Sequence, residues 1–272
     1  MATRKWLPET IVQVSDRVEA RLDEPWSLAR MAAAACFSTF HFHRLFSEAT
    51  GETPAAFVER LRLERAALLL LASDRSITEL ALAVGYRRPE TFARRFKQRF
   101  EVSARGYRRR QIELWTELGL AAGKDPLGAA GEIRVVALPE TAVEVRRGVG
   151  EDAGFDFADP EPWAGLEPAV APRVGLGLDW PGITAATRTR QDWGRRLDGR
   201  PVAAGWTRRL LGGGLYAGLT TAGLGPVPPT VYQRLFVWSA AGRYRLRPGP
   251  ILEIPDTNQV TVHQPVTDTL EA

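Results

Sequence analysis

The chain has 272 residues, 44% hydrophobic and 25% charged, which is the composition of a globular protein with room for two domains and two cores. No apolar run is longer than Ala66 to Ala72, which is far too short to span a bilayer, and the N-terminus lacks the apolar stretch of a secretory signal, so a cytoplasmic protein is expected. The single cysteine, Cys36, excludes an intramolecular disulfide and the cysteine-rich zinc sites, and a small buried residue is expected there, beside a turn.

Charge is unevenly spread. Residues 1–112 hold 20 Lys+Arg against 13 Asp+Glu, a net of +7, and the remainder of the chain is net −3. Ten basic side chains fall within residues 87–110. A basic half of this kind suits a polyanion, because neutralising phosphates supplies much of the affinity for DNA. The alternative is a solvated basic face on a helical domain.

Helix signals run from about residue 8 to 112. Ile11, Val14, Val18 and Leu22 repeat at three- and four-residue spacing and predict a first amphipathic helix. Ser27 is placed to cap the next helix, which ends before Cys36 and Phe37. Ser38 then caps a helix with Phe42, Leu45 and Phe46 inward and Thr39, Phe40, His43 and Arg44 outward. Gly51 closes it, and Thr53 with Pro54 opens a helix over residues 54–72. At 1.5 Å per residue that helix is about 28 Å long, close to the roughly 34 Å of one turn of B-DNA. Ser76 starts the next helix, Leu80 and Val84 point inward, and Gly85 makes the turn. A helix over about 89–100 follows, with Phe92, Phe96 and Phe100 on one face and Arg88, Glu90, Thr91, Arg94 and Arg95 elsewhere.

Two of these stretches share one grammar. Ser27, Leu28, Met31 and Ala32 match Ser76, Ile77, Leu80 and Ala81 at an offset of 49, whereas Phe42, Arg44 and Phe46 match Phe92, Arg94 and Phe96 at an offset of 50. The chain therefore reads as two helix-turn-helix units, the second with a turn one residue longer. Arginine suits bidentate contact with guanine, and threonine packs on a thymine methyl. His41 and His43 stand two apart on a helix and so point in different directions; no metal site is expected.

The residues that carry this pattern resemble the AraC/XylS family of transcription regulators. The first set is Ser38-x3-Phe42-x-Arg44-x-Phe46, Gly51-x-Thr53-Pro54 and Arg62-x2-Arg65-Ala66. The second is Ile77-x2-Leu80-Ala81-x3-Gly85-Tyr86, Thr91-Phe92-x-Arg94-x-Phe96-Lys97 and Tyr107-Arg108. Glu101 and Ala104 depart from the family, which usually has Gly and Pro there. The resemblance implies that Thr39, Phe40, His43 and Arg44 of the first unit and Arg88, Glu90, Thr91, Arg94 and Arg95 of the second face double-stranded DNA.

After Trp115 the composition changes: Gly and Pro become frequent, residues 116–131 read as a linker, and strands are expected at 133–138, 141–148, 173–178, 203–210, 215–221 and 260–264. Helices are expected from Asp159-Pro160 to Leu166 and from Pro228 to Trp238. The order of Gly212-Gly213-Gly214-Leu215-Tyr216-Ala217, Gly225-Pro226, Tyr232, Trp238 and Leu252-Glu253 resembles the GyrI-like effector-binding domain, as do Arg173-Val174-Gly175, Asp179-x-Pro181 and Arg190-x-Asp192. The resemblance implies an α+β domain of two β-α-β-β repeats over residues 132–272, binding a small organic ligand, cationic or aromatic. Pro255 stands where the family often has Tyr.

The fold expected is thus an all-α double helix-turn-helix domain over residues 1–115, a linker over 116–131 and an α+β domain over 132–272. Trp163, Trp180, Tyr216, Phe236, Trp238 and Glu253 are the candidate ligand residues, their rings offering stacking and cation–π contact. The alternative is that the rings fill the core. Glu253, in the apolar strand LEI, either faces a pocket or pairs with an arginine. The expected function is a DNA-binding regulator whose output responds to the ligand, with RNA polymerase as a further candidate partner and with no cofactor and no catalytic residue. The alternative is a GyrI-like hydrolase or sequestering protein for a toxic small molecule, fused to a DNA-binding domain. The order of parts resembles one subgroup of the AraC/XylS family.

Overall fold

The computed structural model describes residues 5–117, 132–150, 155–159, 162, 173–179, 183–241, 243–247 and 249–268. They fall in two compact units: Leu7–Glu117, and a second holding Lys5–Trp6 together with the residues beyond Glu117.

The first unit is helical: α1 (Glu9–Ala20), α2 (Leu28–Ala34), α3 (Thr39–Thr50), α4 (Pro54–Ala72), α5 (Ile77–Ala83), α6 (Pro89–Phe100) and α7 (Ala104–Glu117). Short polar side chains start these helices by accepting orphan backbone N–H groups. Ser27 accepts from Arg30, Ser38 from His41 and Thr53 from Ala56. Ser76 and Glu79 form a reciprocal capping box. Gly51 ends α3 in the left-handed conformation. Ile11, Val14, Val18, Met31, Phe42, Phe46 and Phe57 form one core, and Phe92 and Phe96 are buried beneath the second pair of helices.

The two turns differ from the expectation at one point. Cys36 is exposed rather than buried. Its φ of 58° is left-handed, like the 90° of Gly85, and this conformation turns the side chain out to solvent. Gly85 has no such freedom, because a Cβ there would meet the Leu22 carbonyl oxygen at 2.4 Å and the Arg62 guanidinium at 2.8 Å.

Charged groups tie the helices together. Arg60 of α4 is buried between Glu52, at 2.7 Å, and Glu64, at 3.0 Å, and Glu64 also takes Arg99 of α6 at 3.3 Å. Arg62 donates to the carbonyls of Leu22 and Glu24 at 2.9 and 2.7 Å. In the second helix-turn-helix of this unit Arg108 repeats this act, donating to Leu70, Ser73 and Arg75. Each arginine satisfies the carbonyls of the segment that leads into the capping serine of its unit. Arg62→Ala and Arg108→Ala should each lower stability by about 1.5–3 kcal/mol, the usual worth of bonds from a charged donor. Urea denaturation followed by circular dichroism checks this; a loss below about 0.5 kcal/mol in both would remove the role given to them.

The two departures from the family pattern also acquire a physical reading. Glu101 caps α6 at φ 61°, a conformation in which a side chain costs about 1–2 kcal/mol and glycine does not. Ser103 accepts from Gly106, so Ala104 is the first residue of α7, where proline is tolerated. Glu101→Gly should therefore raise stability by about 0.5–1 kcal/mol, after the entropy glycine adds to the unfolded chain. An unchanged or lower denaturation midpoint would contradict this reading.

The second unit is a curled antiparallel sheet with one described α-helix and a short 3-10 helix, Ala186–Arg188. Its strands are β1 (Lys5–Trp6), β2 (Arg134–Leu138), β3 (Thr141–Gly150), β4 (Arg173–Gly177), β5 (Thr189–Arg196), β6 (Thr207–Leu211), β7 (Gly214–Ala222), β8 (Tyr244–Leu246), β9 (Ile251–Asp256) and β10 (Gln259–Asp268). Their order is β1-β3-β5-β4-β9-β10-β7-β2, with β6 added to β3 and β8 to β10. Helix α8 (Pro229–Ala241) stands where one was expected, while the helix expected from Asp159 to Leu166 falls largely outside the described residues. The run 203–210 becomes a strand only from Thr207, and Lys5–Trp6 pairs with β3 rather than belonging to the helical unit.

The topology demands curvature. β2 and β3 lie near opposite ends of the strand order, yet only Pro139 and Glu140 join them, so Leu138 and Thr141 are at most about 11 Å apart. The sheet bends into a half-barrel to allow this. Gly213 lies at the closure, where a Cβ would meet the Glu140 nitrogen at 2.8 Å.

Candidate nucleic-acid interface and ligand site

On α3, Phe42 and Phe46 are wholly buried, so the opposite side of the helix turns outward: Thr39, Phe40, His43 and Arg44 are exposed, Phe40 to 79%. On α6, Phe92 and Phe96 play the same part. Arg88, Glu90 and Arg94 are exposed and Thr91 is half-buried beside them. Arg95 is also exposed, but its guanidinium is held by Glu59 of α4 at 2.9 Å and by Gln98 at 3.3 Å. The nine sequence-selected residues thus form two outward faces on the second helices of the two units.

In the sheet unit the sequence-selected residues divide between two faces. One face packs on α8 through Trp193, Phe155, Leu235, Val260 and Val262. Glu253 belongs to this face and is 2% exposed; one carboxylate oxygen receives the hydroxyl of Tyr232, on α8. Phe236 is buried on the same helix, and Trp238 is half-buried and stacks on Tyr244 with ring centres 5.4 Å apart. Tyr216 lies on the opposite, concave face with Val143, Val174 and Leu252, and its hydroxyl donates to the Gly212 carbonyl at 2.8 Å. The structure therefore joins Glu253 with Tyr232, a residue outside the candidate set, and separates it from Tyr216. Trp163 and Trp180 lie outside the described residues.

The concave face holds buried charges that period-two reading passed over. Asp192 of β5 is fully buried and takes Arg147 at 2.6 Å and Arg209. Burial pushes its carboxyl up, but the two guanidiniums outweigh this and hold it below the ordinary carboxylate value. Arg190 pairs with Asp179 at 2.6 Å in the same way. On this face His263 is also buried, which lowers its pKa and favours the neutral imidazole. A cleft of about 140 Å³ opens here, lined by Leu138, Val143, Val174, Leu211, Tyr216 and Leu252, with Arg196 beside them. Among the described residues no cluster of side chains is arranged to hold a metal ion.

Residues 31–110 match a family model described as a helix-turn-helix domain. Over 103 residues the chain is 34% identical to the right origin-binding protein of Escherichia coli K12, a match covering 38% of this chain and 35% of that protein. It is 35% identical over 95 residues to the Tn10 transposon protein TetD of Escherichia coli, covering 35% of this chain and 69% of that protein. Among solved structures, the DNA-binding domain of AdpA in complex with a target DNA shares 29% identity over 36% of this chain and 89% of that one, with a TM-score of 0.36. The chain thus spans about a third of the right origin-binding protein and about two thirds of TetD. On its paired, capped helix-turn-helix units, the family-model match and the match to TetD, the chain belongs to the AraC-type helix-turn-helix family.

Proposed function

We propose that the chain is a sequence-specific DNA-binding transcription regulator that sets α3 and α6 into major grooves of one duplex. The observation that carries this reading is the repeated construction of the two units: buried phenylalanines at matching positions of α3 and α6, with arginine-bearing faces outward. The 19-residue α4 between them supplies a spacing near one turn of B-DNA. The basic charge of residues 1–112 supplies phosphate affinity. Relatives of this half named as transcriptional regulators support the same reading.

We infer that the sheet unit is a GyrI-like effector module, over the residues assigned to it from sequence, and that Glu253 with Tyr232 receives a cationic or aromatic ligand. A buried carboxylate that accepts the Tyr232 hydroxyl among aromatic side chains supports this, because a cation there would be both neutralised and stacked. The ligand would act by changing DNA output, and the protein would work in the cytoplasm.

Arg44→Ala and Arg94→Ala should each weaken specific binding by about 1–3 kcal/mol and relax base preference at one position, whereas Arg95→Ala, already held by Glu59, should cost less. Fluorescence anisotropy on duplexes selected from a randomised pool measures this; unchanged base preference in both of the first two variants would remove the assignment. Glu253→Gln should weaken binding of a cationic aromatic ligand found by thermal-shift screening and leave DNA affinity of the ligand-free protein unchanged. If the ligand binds both proteins equally, the Glu253 site fails, and turnover of the bound compound would favour a hydrolase instead.

A further inference from the structure

The concave face of the sheet offers a cleft that the Glu253 site does not use. Strand alternation separates the two: Ile251 and Glu253 point toward α8, and Leu252 points into the cleft. Its walls come from β2, β3, β4, β5, β6, β7 and β9, so residues from both ends of the strand order meet across it. Leu138, Val143, Val174, Leu211 and Leu252 make it largely apolar, which favours an apolar body of modest size.

Three arginines border this apolar surface; Arg173 also lines the cleft, but its guanidinium donates to the Phe157 carbonyl at 2.7 Å, and the anion site is built on the other two. Arg196, at the end of β5, lines the cleft and is exposed. Its side chain falls on the concave face, because Gly194, two residues earlier, has its absent Cβ directed at Val145 and Val174. Arg247 lies over the ring of Tyr216, 5.3 Å from its centre. Its Nη2 is buried and has no hydrogen-bond acceptor among the described residues. A buried guanidinium nitrogen in that state costs free energy that an anionic oxygen would recover. The nearby Asp192 is engaged by Arg147 and Arg209.

We propose that this cleft binds an amphipathic organic anion, its apolar body on the leucine and valine side chains and its acid group at Arg196, with Arg247 as the second cation. The proposal is independent of the Glu253 reading, which calls for a ligand of the opposite charge on the other face.

Isothermal titration of the full chain with phenylbutyrate, phenylbutanol and phenylbutylamine tests it. The acid should bind about tenfold or more tighter than the alcohol, as a charge-assisted contact provides, and the amine should bind most weakly. Arg196→Gln, at an exposed position that the fold does not need, should remove the preference for the acid and leave the alcohol's affinity unchanged. Arg247→Gln should reduce the preference in part, and Glu253→Gln should leave acid binding as it was. Equal affinity for acid and alcohol, no binding of the acid, or acid binding that survives Arg196→Gln but is lost in Glu253→Gln would each overturn the proposal.

Discussion

The helical unit depends on the buried charges along α4. Arg60 is enclosed by Glu52 from the end of the first helix-turn-helix unit and by Glu64 one turn on, and Glu64 reaches Arg99 of the second unit. Removing ions from water is costly, and such a network gives little net stability over a well-packed apolar one. What it does impose is register. A slide or rotation of α4 against either pair of helices would leave a buried charge without its partner, and each such loss is expensive. The distance and angle between α3 and α6 are therefore fixed by electrostatics as well as by packing. Under the proposed function, a chain that addresses two sites along one rigid duplex would need that fixity more than extra stability.

The sheet unit solves a different problem. Its two faces hold different chemistry because the strand order forces it to curl. One face takes α8 and the aromatic core, with Glu253 set among rings and bonded by Tyr232. The other becomes the inside of a half-barrel, where Asp192 is held between Arg147 and Arg209 and the apolar cleft opens beside them. A closed antiparallel sheet would have filled this interior with side chains. Here Gly194 and Gly218 stand on the concave side of β5 and β7, where a Cβ would meet Val145 at 2.9 Å and the His263 ring at 3.4 Å, so neighbouring side chains already take that space.

The parts legible in the sequence are those whose physics is local. Ser27, Ser38, Thr53 and Ser76 could be assigned as caps because the bond each makes reaches only three residues ahead. The inward phenylalanines followed from helical spacing alone. β5 came only through the family resemblance of Arg190-x-Asp192 and not through strand alternation, because Thr189–Arg196 reads as a polar segment and its burial rests on partners that sequence does not point to: Arg147 is 45 positions from Asp192. Tyr216 and Glu253 were grouped by residue type, but their faces are set by the register of β7 on β10 and of β10 on β9, which no local pattern specifies. The expectation for Cys36 failed for a third reason: the general burial of free cysteine yielded to a turn that needs a positive φ.

The extra residue in the second turn can be located between two fixed points. In the first unit the left-handed residue is Cys36 and the N-cap of the next helix is Ser38, so Phe37 alone separates them. In the second the left-handed residue is Gly85 and the N-cap is Arg88, with Tyr86 and Arg87 between. Ser38 closes its turn with a side-chain bond to His41, whereas Arg88 makes no such bond and Pro89 supplies the helical φ instead. Gly85 is confined by Leu22 and Arg62, so its turn cannot shift to absorb the insertion. The added residue must instead move the start of α6 relative to α5, giving a different offset from that between α2 and α3. Under the proposed function, two heads built on one plan would then present their side chains at different angles, α3 with Phe40, His43 and Arg44 and α6 with Arg88, Glu90 and Arg94. One chain would thus recognise an asymmetric site, and the two-fold symmetry that dimers of single heads impose on their sites would not be required.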